Sequence, residues 1–177
     1  MKLVRWKRFA WDLSKLPPLE SAALPAHYHV RAATREDAKA VKEVIFSAFS
    51  LDTSWSDTFK TFRDHLEAHI DMSFSHSGTP AMVVTHGPRI IAASTVLPEV
   101  DAESNLTSGP CVRVEYRNRG IGTALLHHSL KQLQQLGLSR ATGISKETAP
   151  ASKFVYPKFG STSEAYNFEP TAVSPMK

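Results

Sequence analysis

The sequence predicts an α/β domain, and three observations carry that expectation. Strand-like segments at Tyr28 to Ala32, Ala81 to Thr85 and Arg89 to Val96 are separated by turns or by longer stretches with helical spacing. The second and third flank Gly87-Pro88, so they form a hairpin. An alternating stretch from Cys111 to Tyr116 runs through a basic, glycine-containing turn into a helical pattern that lasts to Leu136.

Composition sets the bounds. The chain has 177 residues and is 42% hydrophobic, enough for one domain with its own core. Its net charge of +4 suits an anionic ligand but is too small to imply nucleic acid. No arginine-rich tract, zinc-ligand spacing or aromatic-basic interleave supports that partner either. A single cysteine, Cys111, excludes an internal disulfide framework and fits a reducing compartment. No apolar run approaches the roughly 18 residues of a membrane span. The first eight residues lack the apolar centre of a signal peptide. The expectation is a cytoplasmic protein with neither a membrane nor a nucleic-acid partner.

Residues 1–27 read as an N-terminal extension, broken by Pro17-Pro18 and Pro25. Its aromatics Trp6, Phe9 and Trp11 are expected to pack on the domain surface; lining an acceptor pocket or making a homodimer contact is the sharper alternative. The domain proper is expected over residues 28–170, with a loose tail at 171–177. After the first strand, Thr34 can cap a helix whose apolar residues are Val41, Val44, Ile45, Ala48 and Phe49. Asp37 stands where a capping box prefers Glu or Gln. A polar loop containing Asp52, Trp55 and Asp57 follows. Phe62, Leu66, His69 and Ile70 then recur at helical spacing. Beyond the hairpin, Pro98 to Gly109 reads as an acidic connection carrying Glu99, Asp101 and Glu103. Gly137 closes the long helix, Leu138 to Ser145 is a strand, and Tyr166 to Phe168 belongs to a last strand.

The turn between Arg117 and Thr123 is the candidate site. A helix start presents unpaired amides, its dipole favours negative charge, and glycine allows close backbone approach. Arg117 and Arg119 add positive charge, so the turn reads as a pyrophosphate cradle. The dinucleotide fingerprint fails because its third glycine position is Leu125, and no Walker A string occurs.

Arg117, Gly120 and Gly122 instead match R-x-x-G-x-G/A, and this resembles the acetyl-CoA loop of the GNAT acyltransferase superfamily. Tyr156 and Gly160, in the stretch from Ala151, resemble that family's second signature. The resemblance spans residues 28 to 168. It implies a single-domain, mixed, mostly antiparallel sheet with helices on both faces. It also implies acetyl-CoA as cofactor and direct transfer of an acetyl group to a primary amine of a small molecule or peptide. By the same resemblance, Cys111, Val112 and Val114 present strand backbone to the pantetheine arm, and Gly109-Pro110 suits the bulge that opens the slot. The amides of Arg117, Asn118, Arg119, Gly120, Ile121, Gly122 and Thr123 take the pyrophosphate, and Tyr156 is the general acid that protonates the departing thiolate. Lys153 could reach the outer phosphate.

Two departures matter. The asparagine expected seven residues before the tyrosine is Ala149, and the strand before the loop carries no carboxylate to act as base. Glu99, Asp101, Glu103, Asp52 and Asp57 are the remaining acids nearby, and Glu115 reads as exposed. Cys111 reads as a small hydrophobe, since no histidine pairs with it to form an acyl-enzyme. His65 and His69 have i, i+4 spacing but lack the Glu of a metalloprotease motif. No metal is expected. A non-catalytic acyl-CoA sensor is the alternative from another class; a fold using the turn for a different phosphate ester is the third.

Overall fold

The computed structural model describes residues 5–51, 59–75 and 81–167. Seven strands run in chain order: β1 (Trp6–Asp12), β2 (Tyr28–Ala32), β3 (Met82–His86), β4 (Arg89–Val96), β5 (Leu106–Val112), β6 (Arg140–Lys146) and β7 (Thr162–Tyr166). Three long helices join them: α1 (Ala38–Leu51), α2 (Phe59–Ser75) and α3 (Ile121–Gln135). The strands form one sheet in the order β2-β3-β4-β5-β6-β1-β7. Every neighbouring pair is antiparallel except β5 and β6, which α3 connects. The expected mixed, mostly antiparallel α/β sheet is what the chain forms.

Helices cover both faces because adjacent strand residues point to opposite sides. On one face Val41, Val44 and Ile45 of α1, with Leu66 and Ile70 of α2, pack on Val83, Ile90, Ala93 and Cys111. Their partners one residue away, Val84, Ile91 and Ala92, meet Ile121 and Leu125 of α3 on the other. Further along, Leu126, Leu130 and Leu133 of α3 pack on Phe9, Trp11, Leu106 and Ala141.

The helix ends follow their sequence signals. Thr34 N–H and hydroxyl both donate to the Asp37 carboxylate, at 2.8 and 3.2 Å, so the shorter acid does the work of the usual Glu. Arg31 pairs with the same carboxylate at 2.7 Å. At the end of α3, Leu138 N–H reaches Leu133 C=O and Gly137 N–H reaches Gln134 C=O, a Schellman closure with Gly137 at φ +101°.

Two expectations need correction. Residues 6–12, expected in an extension outside the sheet, form β1, which lies between β6 and β7. Phe9 and Trp11 are buried among α3 and β6 residues, while Trp6, Arg8 and Ala10 lie on the opposite face. That mixture of cations and aromatics reads as a tail until the strand's two faces are separated. The strand feeding the glycine turn is also displaced: it spans Leu106–Val112, and the expected Cys111 to Tyr116 runs past its end. Arg113 N–H makes a last bond to Ile91 C=O, and Val114–Tyr116 then curl into a 3-10 turn. Val114 is therefore not in a strand, although the alternation Val112, Val114, Tyr116 imitates one.

β5 and β6 meet at one register pair, Leu106 and Gly143, and then part. Asn105, buried beside that pair, holds them together. Its amide group donates to Leu97 and Glu99 carbonyls at 3.0 and 2.8 Å and accepts from Thr142 N–H and hydroxyl at 2.9 and 3.1 Å. Beyond it, Gly109 and Pro110 form a bulge: Ala93 pairs with Cys111 but Thr95 pairs with Ser108.

Asn105→Ala is expected to destabilise the fold by about 3 kcal/mol in urea titration, because four bonds go and a buried Thr142 amide loses its acceptor. A second outcome concerns pH. The Arg31 guanidinium, with help from Thr34, lowers the Asp37 pKa from 3.8 to about 2. A lowered carboxylate pKa stabilises the folded state above the unfolded value and loses that effect as pH falls through the folded one. The melting-temperature gap between wild type and Asp37→Asn should therefore close between pH 5 and 2; a constant gap would exclude this linkage.

Candidate functional site

The basic turn leaves its amides free where α3 begins. Asn118 and Gly120 take left-handed conformations, φ +63° and +79°. Gly120 is the N-cap, and its carbonyl accepts from Ala124 N–H at 3.1 Å. The N–H groups of Ile121, Gly122 and Thr123 precede the first helical bond and have no partner within the helix. No side chain caps them, and no acid stands in the first turn. A Cβ built on Gly120 would meet nothing within 4 Å, so the backbone faces open space. Gly122 sits between Val112 and Val155, whose methyls lie 3.7 Å from a Cβ built there. The Ile121 side chain is buried under the sheet, which leaves only its amide for a ligand.

The arginines beside the turn make structural bonds. Arg117 Nη2 donates to Ala48 C=O and its Nε to Val112 C=O, both at 3.4 Å. It thus ties the turn to α1 and β5. Arg119 donates to Tyr28 Oη and to Glu115 C=O, both at 3.2 Å, and lies over the Tyr116 ring. Glu115 is exposed and pairs with Arg89 at 2.9 Å.

Tyr156 lies at the parting of β5 and β6. It follows a short, wide helical turn, Ala151–Val155, and its own N–H bonds Ala151 C=O. Its ring is buried edge-on against Phe9 and Trp11, with centroids 5.3 and 5.5 Å away. A Cβ at Gly143 would stand 3.4 Å from that ring, so glycine there admits it. The hydroxyl donates to Gly109 C=O, the bulge carbonyl, at 2.7 Å. Burial, and secondarily the nearby Cys111 thiol, push its pKa above that of a free phenol. The group holds its proton at neutral pH.

At the same bulge, the hydroxyls of Thr95, Thr107 and Ser108 are linked, Thr95 bonding to each of the other two. The reading of the sequence passed over them; three hydroxyl residues across a strand pair were the available signal. Cys111 is buried against α1 and α2. Glu103 accepts from Tyr166 Oη at 2.5 Å, while Glu99 and Asp101 stay in the β4–β5 loop. Lys153 is exposed. A different lysine, Lys158, lines a cavity beside Arg119 and Gly120. Asp52, Trp55 and Asp57 lie outside the described residues. Among the described residues, no cluster of His, Cys, Asp or Glu could hold a metal, and no helix is long and apolar enough to cross a membrane.

A mixed, mostly antiparallel α/β sheet that parts beside a helix N-terminus, with a buried tyrosine at the parting, is a fold this chain shares with known proteins. The family model for the acetyltransferase (GNAT) family matches residues 44–160. No curated protein matches the chain. A conserved protein of unknown function from Staphylococcus epidermidis shares the fold with a TM-score of 0.62 at 11% identity, over 93% of this chain and 59% of that one. A GCN5-related N-acetyltransferase from Sphaerobacter thermophilus does so at 0.60 and 17%, over 93% and 50%. One from Kribbella flavida gives 0.58 and 12%, over 92% and 56%. The chain spans between 50% and 59% of the length of these structures. It belongs to the acetyltransferase (GNAT) family.

A Cβ on Gly109, whose φ is +104°, would stand 2.8 Å from Ala93 O and 2.9 Å from Cys111 N. Gly109→Ala should therefore lower stability by about 2–4 kcal/mol in urea. Gly122→Ala, with only ordinary contacts at 3.7 Å, should lose less than about 1 kcal/mol. Equal losses would mean the bulge does not need glycine.

Proposed function

We propose that the chain is an acetyl-CoA-dependent N-acetyltransferase, transferring an acetyl group directly to a primary amine of a small molecule or peptide within a ternary complex. One juxtaposition carries this reading: the free amides of Ile121 to Thr123 and the Tyr156 hydroxyl lie at the two sides of the same parted strand pair. The donor set fits a diphosphate, being amides and cationic side chains with no acid in the first helical turn. The amides from Asn118 to Thr123 would hold that diphosphate; the Arg117 N–H, expected among them, is taken by Val114 C=O at 3.3 Å. The backbone of Cys111, Val112 and Val114 would flank the amide-rich arm.

When bound, acetyl-CoA supplies an acyl thioester and a thiol leaving group. Tyr156 Oη keeps its proton at neutral pH and is placed by two aromatic rings and the bulge carbonyl. That makes it the general acid for the leaving sulfur. Of the three linked hydroxyls, Thr107 is the partly exposed one and can meet an incoming amine, with the buried Thr95 and Ser108 bonded behind it, each able to donate and accept.

One observation favours a second reading, a non-catalytic acyl-CoA sensor. The Tyr156 hydroxyl donates to Gly109 C=O, and among the described residues no carboxylate accepts from it. Thiol release from acetyl-CoA across a panel of amines separates the two readings. Release is expected, and binding without release for every amine would favour the sensor. With an accepting amine in hand, Tyr156→Phe should lower kcat about 100-fold while acetyl-CoA affinity changes less than about threefold. Unchanged kcat would remove the general-acid role.

A further inference from the structure

On the side away from α3, the strands β6, β1 and β7 present Trp6, Arg8, Ile144 and Tyr166, each partly exposed. Strand alternation puts them there, since Phe9 and Trp11 point into the α3 core. Helices α1 and α2 pack instead on β3, β4 and β5. Among the described residues, none of the buried apolar clusters includes Trp6, Arg8, Ala10 or Ile144. These strands form a floor beside the parted pair β5 and β6.

Arg8 stands in the middle of that floor. Its Nε is shut off from solvent and has no hydrogen-bond partner. Buried donors are nearly always paired, and a charged one left unpaired is costly. Glu164 lies opposite Arg8 in the β7 register, yet no carboxylate among the described residues forms an ion pair with it. Glu164 and Glu103 are exposed, and Glu103 already accepts from the Tyr166 hydroxyl at 2.5 Å. Acids at an exposed rim are screened by water and salt more than a half-buried cation is. Trp6, with the Lys146 ammonium 6.0 Å from its ring centroid, stands next to Arg8 along the same face.

Register sets the distance from Arg8 to the chemistry. Leu106 pairs with Gly143, and Ile144, the next residue of β6, pairs with Arg8. Thr107, Ile144 and Arg8 thus form a row across β5, β6 and β1. Thr107 bonds Thr95, whose neighbour Ser94 points to α3, so the Thr107 hydroxyl opens on the Arg8 side. Two strand spacings of about 4.8 Å put the Thr107 and Arg8 backbones roughly 10 Å apart.

We propose that the acceptor is an amine that also carries a carboxylate, an amino acid or a peptide of up to about three residues, with its amine at Thr107 and its carboxylate on the Arg8 guanidinium. The inference rests on the acetyltransferase reading above and names its substrate class. The amine nitrogen forms the new amide bond as the thioester C–S bond breaks. The amine's proton ends on the departing sulfur, and the carboxylate is unchanged. Arg8 therefore selects and positions the acceptor and takes no part in the bond exchange.

Acetyl transfer by the full chain to matched acceptors, a dipeptide and its C-terminal amide, tests it. Wild type should favour the free carboxylate about 30-fold in kcat/KM. Arg8→Gln should erase that preference through KM, with kcat and the amide's kinetics within about threefold of wild type. Arg8→Lys should restore part of it, because an ammonium keeps the charge without the planar fork. Calorimetry of the coenzyme A complex with the same dipeptide reads binding apart from turnover, and Arg8→Gln should lose the heat that wild type shows. Equal or better use of the amide by wild type would overturn the proposal, and that comparison needs no variant. Equal losses for both acceptors in Arg8→Gln would overturn it too. Arg8-dependent dipeptide binding with no thiol release from any amine would sink the enzyme reading and leave Arg8 as a carboxylate site.

Discussion

Asn105 clasps β5 to β6 at the single pair Leu106 and Gly143, and the Gly109 bulge turns β5 away immediately afterwards. A continuous parallel ladder there would satisfy the backbone of both strands and close the sheet. Stopping the ladder after one pair leaves a gap that neither strand can fill. The connection through α3 fixes what faces the gap: a helix that leaves β5 by a short turn must start beside it. The unpaired amides of that helix are therefore delivered to the opening by topology, and the glycines only clear their approach.

The far side of the opening depends on a distant part of the chain. Tyr156 cannot be held by its own short helical turn, which spans five residues. Phe9 and Trp11 of β1 supply the wall, and the Trp11 indole also anchors the backbone at Lys158. Inserting β1 between β6 and β7 therefore does two jobs. It completes the sheet, and it fixes the tyrosine ring so that its hydroxyl reaches the bulge carbonyl. Loss of either aromatic would act on the site through the Tyr156 position rather than through any ligand contact.

How far this was legible follows the range of each interaction. Helix α1 and its cap, the β3–β4 hairpin, Gly137 and the glycine turn all rest on contacts within a few residues, and each was readable from spacing. The bulge was foreseen because glycine next to proline is a local signal. β1 was not, because its partners Gly143 and Ser163 lie more than a hundred residues away and two of its seven residues are cationic. The end of β5 was misplaced because Val-Arg-Val-Glu-Tyr keeps a period of two through a 3-10 turn. The Thr95, Thr107 and Ser108 hydroxyls escaped notice for the same reason as β1: only the strand pairing brings them together. The cavity lining at Phe159 depends on a left-handed backbone that its residue type does not announce.

At the turn, charge and hydrogen-bond direction come from different groups. Four arginines surround it, yet their directional bonds go to the protein: Arg117 to Ala48 and Val112, Arg119 to Tyr28 and Glu115, Arg113 to Ile90, Arg89 to Glu115. Their charge still contributes a positive field, which attracts an anion but does not orient it. Orienting an anion would fall to the backbone amides, whose positions are set by helix geometry and not by side chains. Of the residues that shape the backbone, Gly120 in its left-handed cap is then constrained, while Gly122 leaves room for a Cβ at ordinary contact distance. The arginine at the head of the turn is constrained for a different reason: its guanidinium ties the turn to the carbonyl of Ala48, near the end of α1, and holds the cradle against the helices on the opposite face of the sheet.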